Sequence, residues 1–356
     1  MAFVFWIEML EKISDTVYAF RSILANMNKE ELVLVAGAGG FIGGHLISAL
    51  RAEGFETIRA VDQKPLADWY QSFEDVENLT LDLKQRDACR IATRDAAVIY
   101  NLAADMGGMG FIELNKAACM LSVLINTHLL LAAGGAERFF FASSACVYNA
   151  DKQKDPNVTA LKEEDAYPAL PEDGYGWEKL FGERMCRHFR EDFGLETRVA
   201  RYHNVYGPYG TYDGGREKAP AAICRKVIAA RLSGRHEIEI WGDGNQTRSF
   251  MYIDDCIKGT QMILNSDFVD PMNLGSNELV SIDKLVDIVE EIAGIKLKRR
   301  YKLSAPRGVN GRNSDNSLIR SVFDWEPSTK LRDGMERTYS WIYDQMVARH
   351  SIPAPV

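Results

Sequence analysis

The feature that most constrains this chain is a junction near its start. Leu32-Val33-Leu34-Val35-Ala36 runs directly into Gly37-Ala38-Gly39-Gly40-Phe41-Ile42-Gly43. A short apolar run bounded by glycines reads as a strand buried on both faces. Gly37, Gly40 and Gly43 then form GxxGxxG, a tight turn that brings the N–H groups of a following helix, here opening at Phe41 and Ile42, up to a pyrophosphate. A glycine cluster alone also fits a plain strand-to-helix turn. Its context adds weight, because Asp62 ends the next strand run 19 residues after Gly43. A carboxylate there binds both ribose hydroxyls and repels a 2′-phosphate, which favours NAD over NADP. Asp82, ending the third run, is a candidate for the adenine amino group, with a helix cap as its other reading.

Strand-like runs recur at 57–61, 79–83, 97–103, 138–143 and 197–202, separated by helix-like stretches at 41–53, 115–133 and 175–192. That alternation predicts a doubly wound, Rossmann-type parallel sheet, an α/β fold. After Gly207 the texture changes to a Gly/Tyr/Pro-rich loop, a helix from Lys218 to Ala230, a short strand at 237–241 and a Ser281-capped helix to Ala293. The expected organisation is an N-terminal helical extension over 1–30 and a cofactor domain over 31–204, to which the chain returns around 251–270. A smaller C-terminal substrate-binding lobe takes 205–250 and 271–356.

Composition narrows the function classes. The 356 residues are 46% hydrophobic and 26% charged, with a formal charge of -8. That balance argues against a nucleic-acid partner, which would need a basic footprint. The six cysteines form no CxxC and the six histidines no HExxH, so no metal site is expected and the scattered thiols fit a cytoplasmic protein. Met1 to Leu10 is apolar, but short and interrupted by Glu8, so neither a signal peptide nor a membrane anchor is expected.

Tyr175-Gly176-Trp177-Glu178-Lys179 is a YxxxK. On a helix its Tyr and Lys share a face, and an ammonium beside a phenol lowers the phenol pKa and makes tyrosinate available as a base. Ser144, at the end of the fifth strand run, stands where ligands sit in such sheets and can hold a substrate hydroxyl beside Tyr175. Glycine fingerprint, Asp62, Ser144 and YxxxK, in this order, resemble the extended short-chain dehydrogenase/reductase family. The resemblance implies a Rossmann-type domain holding NAD, with Tyr175 and Lys179 touching the cofactor, and a homodimer formed by two helices from each partner.

Further segments narrow the resemblance. Asn101–Phe111, Ser143–Tyr148, Arg201–Pro208, Gly214–Ala221, Trp241–Phe250 and Gly311–Asn316 resemble the GDP-mannose 3,5-epimerase branch of that family. Such an isomerase oxidises C4 of a GDP-sugar, which makes the neighbouring C–H groups acidic. It then needs a base on one ring face and an acid on the other. The resemblance assigns the base to Cys146 and the acid to Lys218, and substrate contacts to Gly107, Ser144, Asn204, Glu217, Ala219, Lys226, Gln246, Thr247, Arg248 and Arg312. The two arginines suit a diphosphate. By themselves, a Cys at a strand end is most often a packed hydrophobe and a Lys opening a helix is most often solvated. Either arginine could instead pair with Asp243, Asp254 or Asp315, and His203 reads as structural. The competing readings are an epimerase-reductase resembling GDP-fucose synthases or another NDP-sugar epimerase or dehydratase, and a non-catalytic NAD-binding regulator. The reductase would need NADPH, against which Asp62 argues, and a His where Glu217-Lys218 stands.

Overall fold

The computed structural model describes residues 28–306 and 308–351. Most of the extension expected over 1–30 lies outside the described residues. Along the chain come β1 (Leu32–Ala36), β2 (Ile58–Asp62), β3 (Glu77–Thr80), β4 (Ala96–Asn101), β5 (Arg138–Ser144) and β6 (Glu196–Tyr202). The short strands β7 (Val205–Tyr206), β8 (Glu237–Trp241), β9 (Thr247–Ser249), β10 (Met251–Tyr252), β11 (Met272–Leu274), β12 (Leu279–Ser281), β13 (Lys298–Lys302) and β14 (Gly311–Arg312) follow. The main sheet has seven strands in the order β11-β6-β5-β4-β1-β2-β3, and all its pairings are parallel.

A parallel sheet covered on both faces needs apolar residues at odd and even positions alike. β1 supplies them. Val33 and Val35 join the core that includes Leu46 and Leu50 of the first helix, while Leu32, Leu34 and Ala36 join the opposite core with Leu129 and Cys186. β5 repeats the device, with Phe140 and Ala142 on one face and Phe139 and Phe141 on the other. Strand order reverses between β1 and β4. Ligands bind beyond the strand ends at such a switch point.

The lobe is built on the helices Ala219–Ser233, Ile282–Ala293 and Leu331–Ser351, which pack against one another. β13 pairs with β8, and β9 lies between β12 and β14. Trp341 of the last helix packs on Tyr70, Tyr209 and Tyr212, at ring centroid distances of 5.5, 5.3 and 5.7 Å, and so ties the lobe to the sheet domain.

Three local expectations change. The helix expected over 115–133 is two helices, Lys116–Met120 and Val123–Ala132, separated by a turn at Leu121 and Ser122. A further short helix, Met109–Leu114, precedes them, and Asn115 leaves helical backbone (φ −129°, ψ 42°) after it. The third strand ends at Thr80, which puts Asp82 in the following turn. The return to the sheet domain also extends past 270, because β11 completes the sheet edge beside β6.

Candidate active site

A cavity of about 550 Å³ opens at the switch point. Gly37, Gly40, Phe41, Ile42, Gly43, Asp62 and Asp82 line one end, and Gly107, Ser144, Tyr175, Lys179 and Lys218 line the other. Gly37 has φ +86°, and a Cβ on it would stand 2.9 Å from the backbone nitrogen of Ala103. A Cβ at Gly43 would stand 2.3 Å from the Gly37 carbonyl oxygen. The loop therefore closes only with glycine at both positions, leaving a bare backbone cradle at the start of the helix Phe41–Ala52. Asp62 ends β2 beside this loop, and one carboxylate oxygen accepts from the Lys64 N–H at 3.0 Å. Asp82 accepts from the Lys84 N–H at 3.0 Å and pairs with its ammonium at 3.2 Å, while the helix cap that follows is Gln85. A glycine cradle, a strand-end carboxylate and an elongated cavity running to Tyr175 fit a dinucleotide.

Ser144 closes β5 and caps the next short turn, its hydroxyl accepting from the Cys146 N–H at 3.2 Å. Tyr175 opens the helix Tyr175–Phe193, with the Ser144 hydroxyl near enough to its phenol to favour ionisation. A Cβ at Gly176 would stand 2.3 Å from the Cys146 carbonyl oxygen, so this glycine lets the helix seat on the strand-end segment. Lys179 Nζ lies 5.5 Å from the Tyr175 ring centroid and 4.8 Å from that of Phe141. The expected lowering of the phenol pKa is not what this geometry produces. Burial, then the neighbouring Cys146 and Glu178, push Tyr175 well above its ordinary value. Lys179 is itself buried and shares its charge with Glu178 at 3.7 Å, which blunts its effect on the phenol.

Cys146 is buried two residues beyond Ser144. Arg312 Nη1 donates to its sulfur at 3.5 Å. The same guanidinium donates from Nε to Gln153 Oε1 at 2.7 Å and pairs through Nη2 with Glu172 at 3.0 Å. The Glu172 charge also bears on the thiol, and its backbone N–H donates to the Cys146 carbonyl at 3.0 Å. Burial, followed by Glu172, pushes the thiol up to about 11. Arg312 and the thiol overcome the opposing effect of burial and hold Glu172 below the usual carboxylate range. Neither Glu172 nor Gln153 was marked by the sequence. An acidic residue three positions before a helix reads as a cap, and nothing in the spacing links it to Cys146.

Lys218 is half-buried and is the N-cap of the helix Ala219–Ser233, one residue before the helix proper. Burial lowers its pKa, and the nearby Cys146 sulfur opposes that. It follows Gly214 and Gly215, which adopt φ +91° and +85°. Glu217 accepts from the Gly215 N–H at 2.7 Å and pairs with Arg225 at 3.1 Å. Gly107 packs against Phe111 and the Arg216 backbone, where a Cβ would meet atoms at 2.9 and 3.2 Å.

The other expected contacts spread into the lobe. Asn204 donates to the Ser249 carbonyl at 3.0 Å, and Lys226 to that of Glu239 at 2.9 Å. Ala219 begins its helix. Gln246 donates to the Trp241 carbonyl at 2.8 Å, and its buried Oε1 has no partner. Thr247 donates to the Pro156 carbonyl. Arg248 donates to the Thr247 and Val309 carbonyls at 2.7 and 2.6 Å, and burial lowers its pKa to about 10. The ion pair that Arg312 makes is with Glu172, not with the three aspartates considered above. His203 is fully buried, bonded to Asn273 at 2.9 Å and pushed down to about 3, as befits a structural residue.

Comparisons with known proteins agree with this geometry. The NAD dependent epimerase/dehydratase family model matches residues 33–275. GDP-mannose 3,5-epimerase 1 of Oryza sativa subsp. indica is 44% identical over 323 residues, covering 88% of this chain and 82% of that protein. GDP-mannose 3,5-epimerase of Arabidopsis thaliana is 42% identical with the same coverage. Among solved structures, UDP-glucuronic acid 4-epimerase of Bacillus cereus, in complex with UDP-glucuronic acid and NAD, superposes with a TM-score of 0.75 at 26% identity, covering 88% of this chain and 99% of that one. UDP-glucose 4-epimerase of Thermotoga maritima shares the fold, with a TM-score of 0.78 at 21% identity over 88% of this chain and 99% of that one. On sequence, fold and cofactor cradle together, the chain belongs to the NAD-dependent epimerase/dehydratase family.

Proposed function

We propose that the chain is an NAD-dependent isomerase that converts GDP-α-D-mannose to GDP-L-galactose, with GDP-L-gulose as the product inverted at C5 alone. The observation that carries this reading is a thiol, Cys146, buried two residues beyond Ser144, with an amine, Lys218, near enough to feel its charge on the wall of the cavity that Ser144, Tyr175 and Lys179 also line. A simple 4-epimerase needs the last three only. A base and an acid beside them fit inversion at carbons flanking C4. The 44% identity to a GDP-mannose 3,5-epimerase supports the sugar.

Gly37–Gly43 would hold the NAD pyrophosphate, Asp62 the adenosine ribose, and Tyr175 and Lys179 the nicotinamide end. When bound, NAD would supply the hydride acceptor for oxidation at C4 of the sugar and the donor for its re-reduction. Ser144 orients the C4 hydroxyl, and Tyr175 in its tyrosinate form takes its proton. With C4 a ketone, Cys146 removes the proton from C5 or C3, and Lys218 delivers one to the opposite face. The lowered pKa of Lys218 suits it to give up a proton. Arg312 stands over the sulfur, where it stabilises negative charge. Tyr175 finally returns the proton to the C4 oxygen. Incubation with GDP-mannose and NAD in D₂O, followed by NMR, tests the reading. Deuterium at C5 and C3 with inverted products is expected, and unchanged GDP-mannose would overturn it.

We also infer a homodimer in the cytoplasm, with the sheet domain holding the cofactor and the lobe holding the GDP-sugar. Leu114, Leu121, Leu131, Trp177 and Phe181 are exposed on neighbouring helices, an apolar surface that a second copy would cover. Light scattering of Phe181→Asp should then show a monomer where the parent shows a dimer. Among the described residues no helix is long and apolar enough to cross a membrane.

A further inference from the structure

The groups around Cys146 pose a problem of charge. Arg312, on β14, touches the sulfur at 3.5 Å. Arg248, on β9, and Lys218, at the start of the helix Ala219–Ser233, also bear on it. Three cations favour a thiolate. The neutral neighbours Tyr175 and Cys119 pack on the same side chain. Glu172 is the carboxylate that opposes the cations, and it is placed to do so. Its side chain is 11% exposed and paired with Arg312 at 3.0 Å. Its backbone N–H is bonded to the Cys146 carbonyl, and its own carbonyl accepts from the Gly176 N–H at 2.8 Å. One loop thereby fixes the carboxylate against both the guanidinium and the thiol. Glu172 Oε2 is buried and accepts no well-aligned hydrogen bond.

We propose that Glu172 is a positioning residue that holds Arg312 over the Cys146 sulfur and, by its negative charge, keeps the base stored as a neutral thiol. The proposal rests on Cys146 being the base. Cys146 and Glu172 then titrate as a coupled pair over one guanidinium. The burial and acidic neighbour that raise the thiol have a use, because a neutral thiol is a poor nucleophile towards alkylating and oxidising agents. Before it can remove a C–H proton, the thiol must give up its own to water.

Glu172→Gln keeps an acceptor for Arg312 and removes the charge, leaving three cations unopposed. The test is the pH dependence of iodoacetamide alkylation of Cys146, read by the mass of its peptide, without any sugar present. The profile should move to lower pH by at least about one unit, a roughly tenfold faster alkylation below the midpoint. Glu172→Asp should restore the parental profile. In the presence of GDP-mannose, the pH dependence of deuterium entry at C5 should shift in the same direction. An unchanged alkylation profile would reduce Glu172 to a structural residue. A shift to higher pH would show that the carboxylate promotes thiolate formation, and would also overturn the proposal. Because the alkylation needs no substrate, it separates failure here from an error in the sugar assignment.

Discussion

Gly176 lies so close to Cys146 that a Cβ on it would stand 2.3 Å from the Cys146 carbonyl oxygen. The helix carrying Tyr175 and Lys179 is therefore seated on the turn carrying Cys146, with Gly176 as the contact. In Gly176→Ala the added methyl meets backbone, which cannot rotate away. Overpacking of this kind costs about 1–3 kcal/mol. Urea denaturation should show that loss. C4 oxidation and C5 exchange should fall together in this variant, and a loss of only one would contradict the shared seating.

Tyr175→Phe keeps the ring and removes the phenolic proton carrier. Turnover should fall by at least about 10²-fold, the scale of a lost acid–base group. GDP-mannose should still bind, as calorimetry can check. Normal turnover would remove Tyr175 from the hydride-transfer step.

Cys146→Ala and Lys218→Ala should fail differently. The first retains Ser144, Tyr175 and Lys179, so NADH absorbance and 4-keto sugar should accumulate without deuterium entering C3 or C5. In the second, Cys146 still removes a proton, so deuterium should enter with retained configuration while GDP-L-galactose disappears. Exchange at the parental rate in Cys146→Ala would make that thiol a packing residue. Parental product formation in Lys218→Ala would move the proton donor elsewhere.

Asp62 ends β2 beside the glycine loop, where its charge disfavours a 2′-phosphate. Asp62→Ala should narrow the preference for NAD over NADP, measured as the ratio of their dissociation constants. Equal use of both cofactors by the parent protein would refute this role.

His203 links the fold to acidity. Its folded pKa lies at about 3 against 6.5 for a free imidazole, mainly through burial. The unfolded chain therefore binds the extra proton first as pH falls. The stability contributed by the neutral form is complete above about 6.5 and is lost towards about 3, at about 1.4 kcal/mol per pH unit inside that window. Thermal melts should show a flatter pH dependence for His203→Gln than for the parent. Parallel curves would mean that other groups carry the acid sensitivity.

The cofactor half of the molecule was legible because it rests on local signals. β1 is an unbroken apolar run, Gly37 and Gly43 are the residues that the turn sterically demands, and Asp62 ends the next strand. The environment of Cys146 was not legible in the same way. Glu172, Gln153 and Arg312 meet there from three distant segments, and no periodicity encodes that meeting. The raised Tyr175 pKa escaped for a related reason, since YxxxK fixes the helix face but not how far Lys179 is diverted towards Phe141 and Glu178. The helix expected over 115–133 breaks at Leu121 and Ser122, where no proline or glycine marks a turn.

Cys146 and Lys218 are mounted in contrasting ways. The thiol sits on a turn clamped by Gly176, Ser144 and Arg312. The amine caps the helix Ala219–Ser233, three residues after Gly215, and a Cβ at Gly214 or Gly215 would meet nothing within 4 Å. In the proposed reaction the thiol is the fixed point. One acid–base pair can then serve two carbons in succession, because the sugar needs to be re-aimed against only one fixed point. The order of the two inversions would follow from which carbon first comes under the sulfur, and the proportion of singly inverted sugar would measure how often the ketone is reduced before the second carbon is inverted.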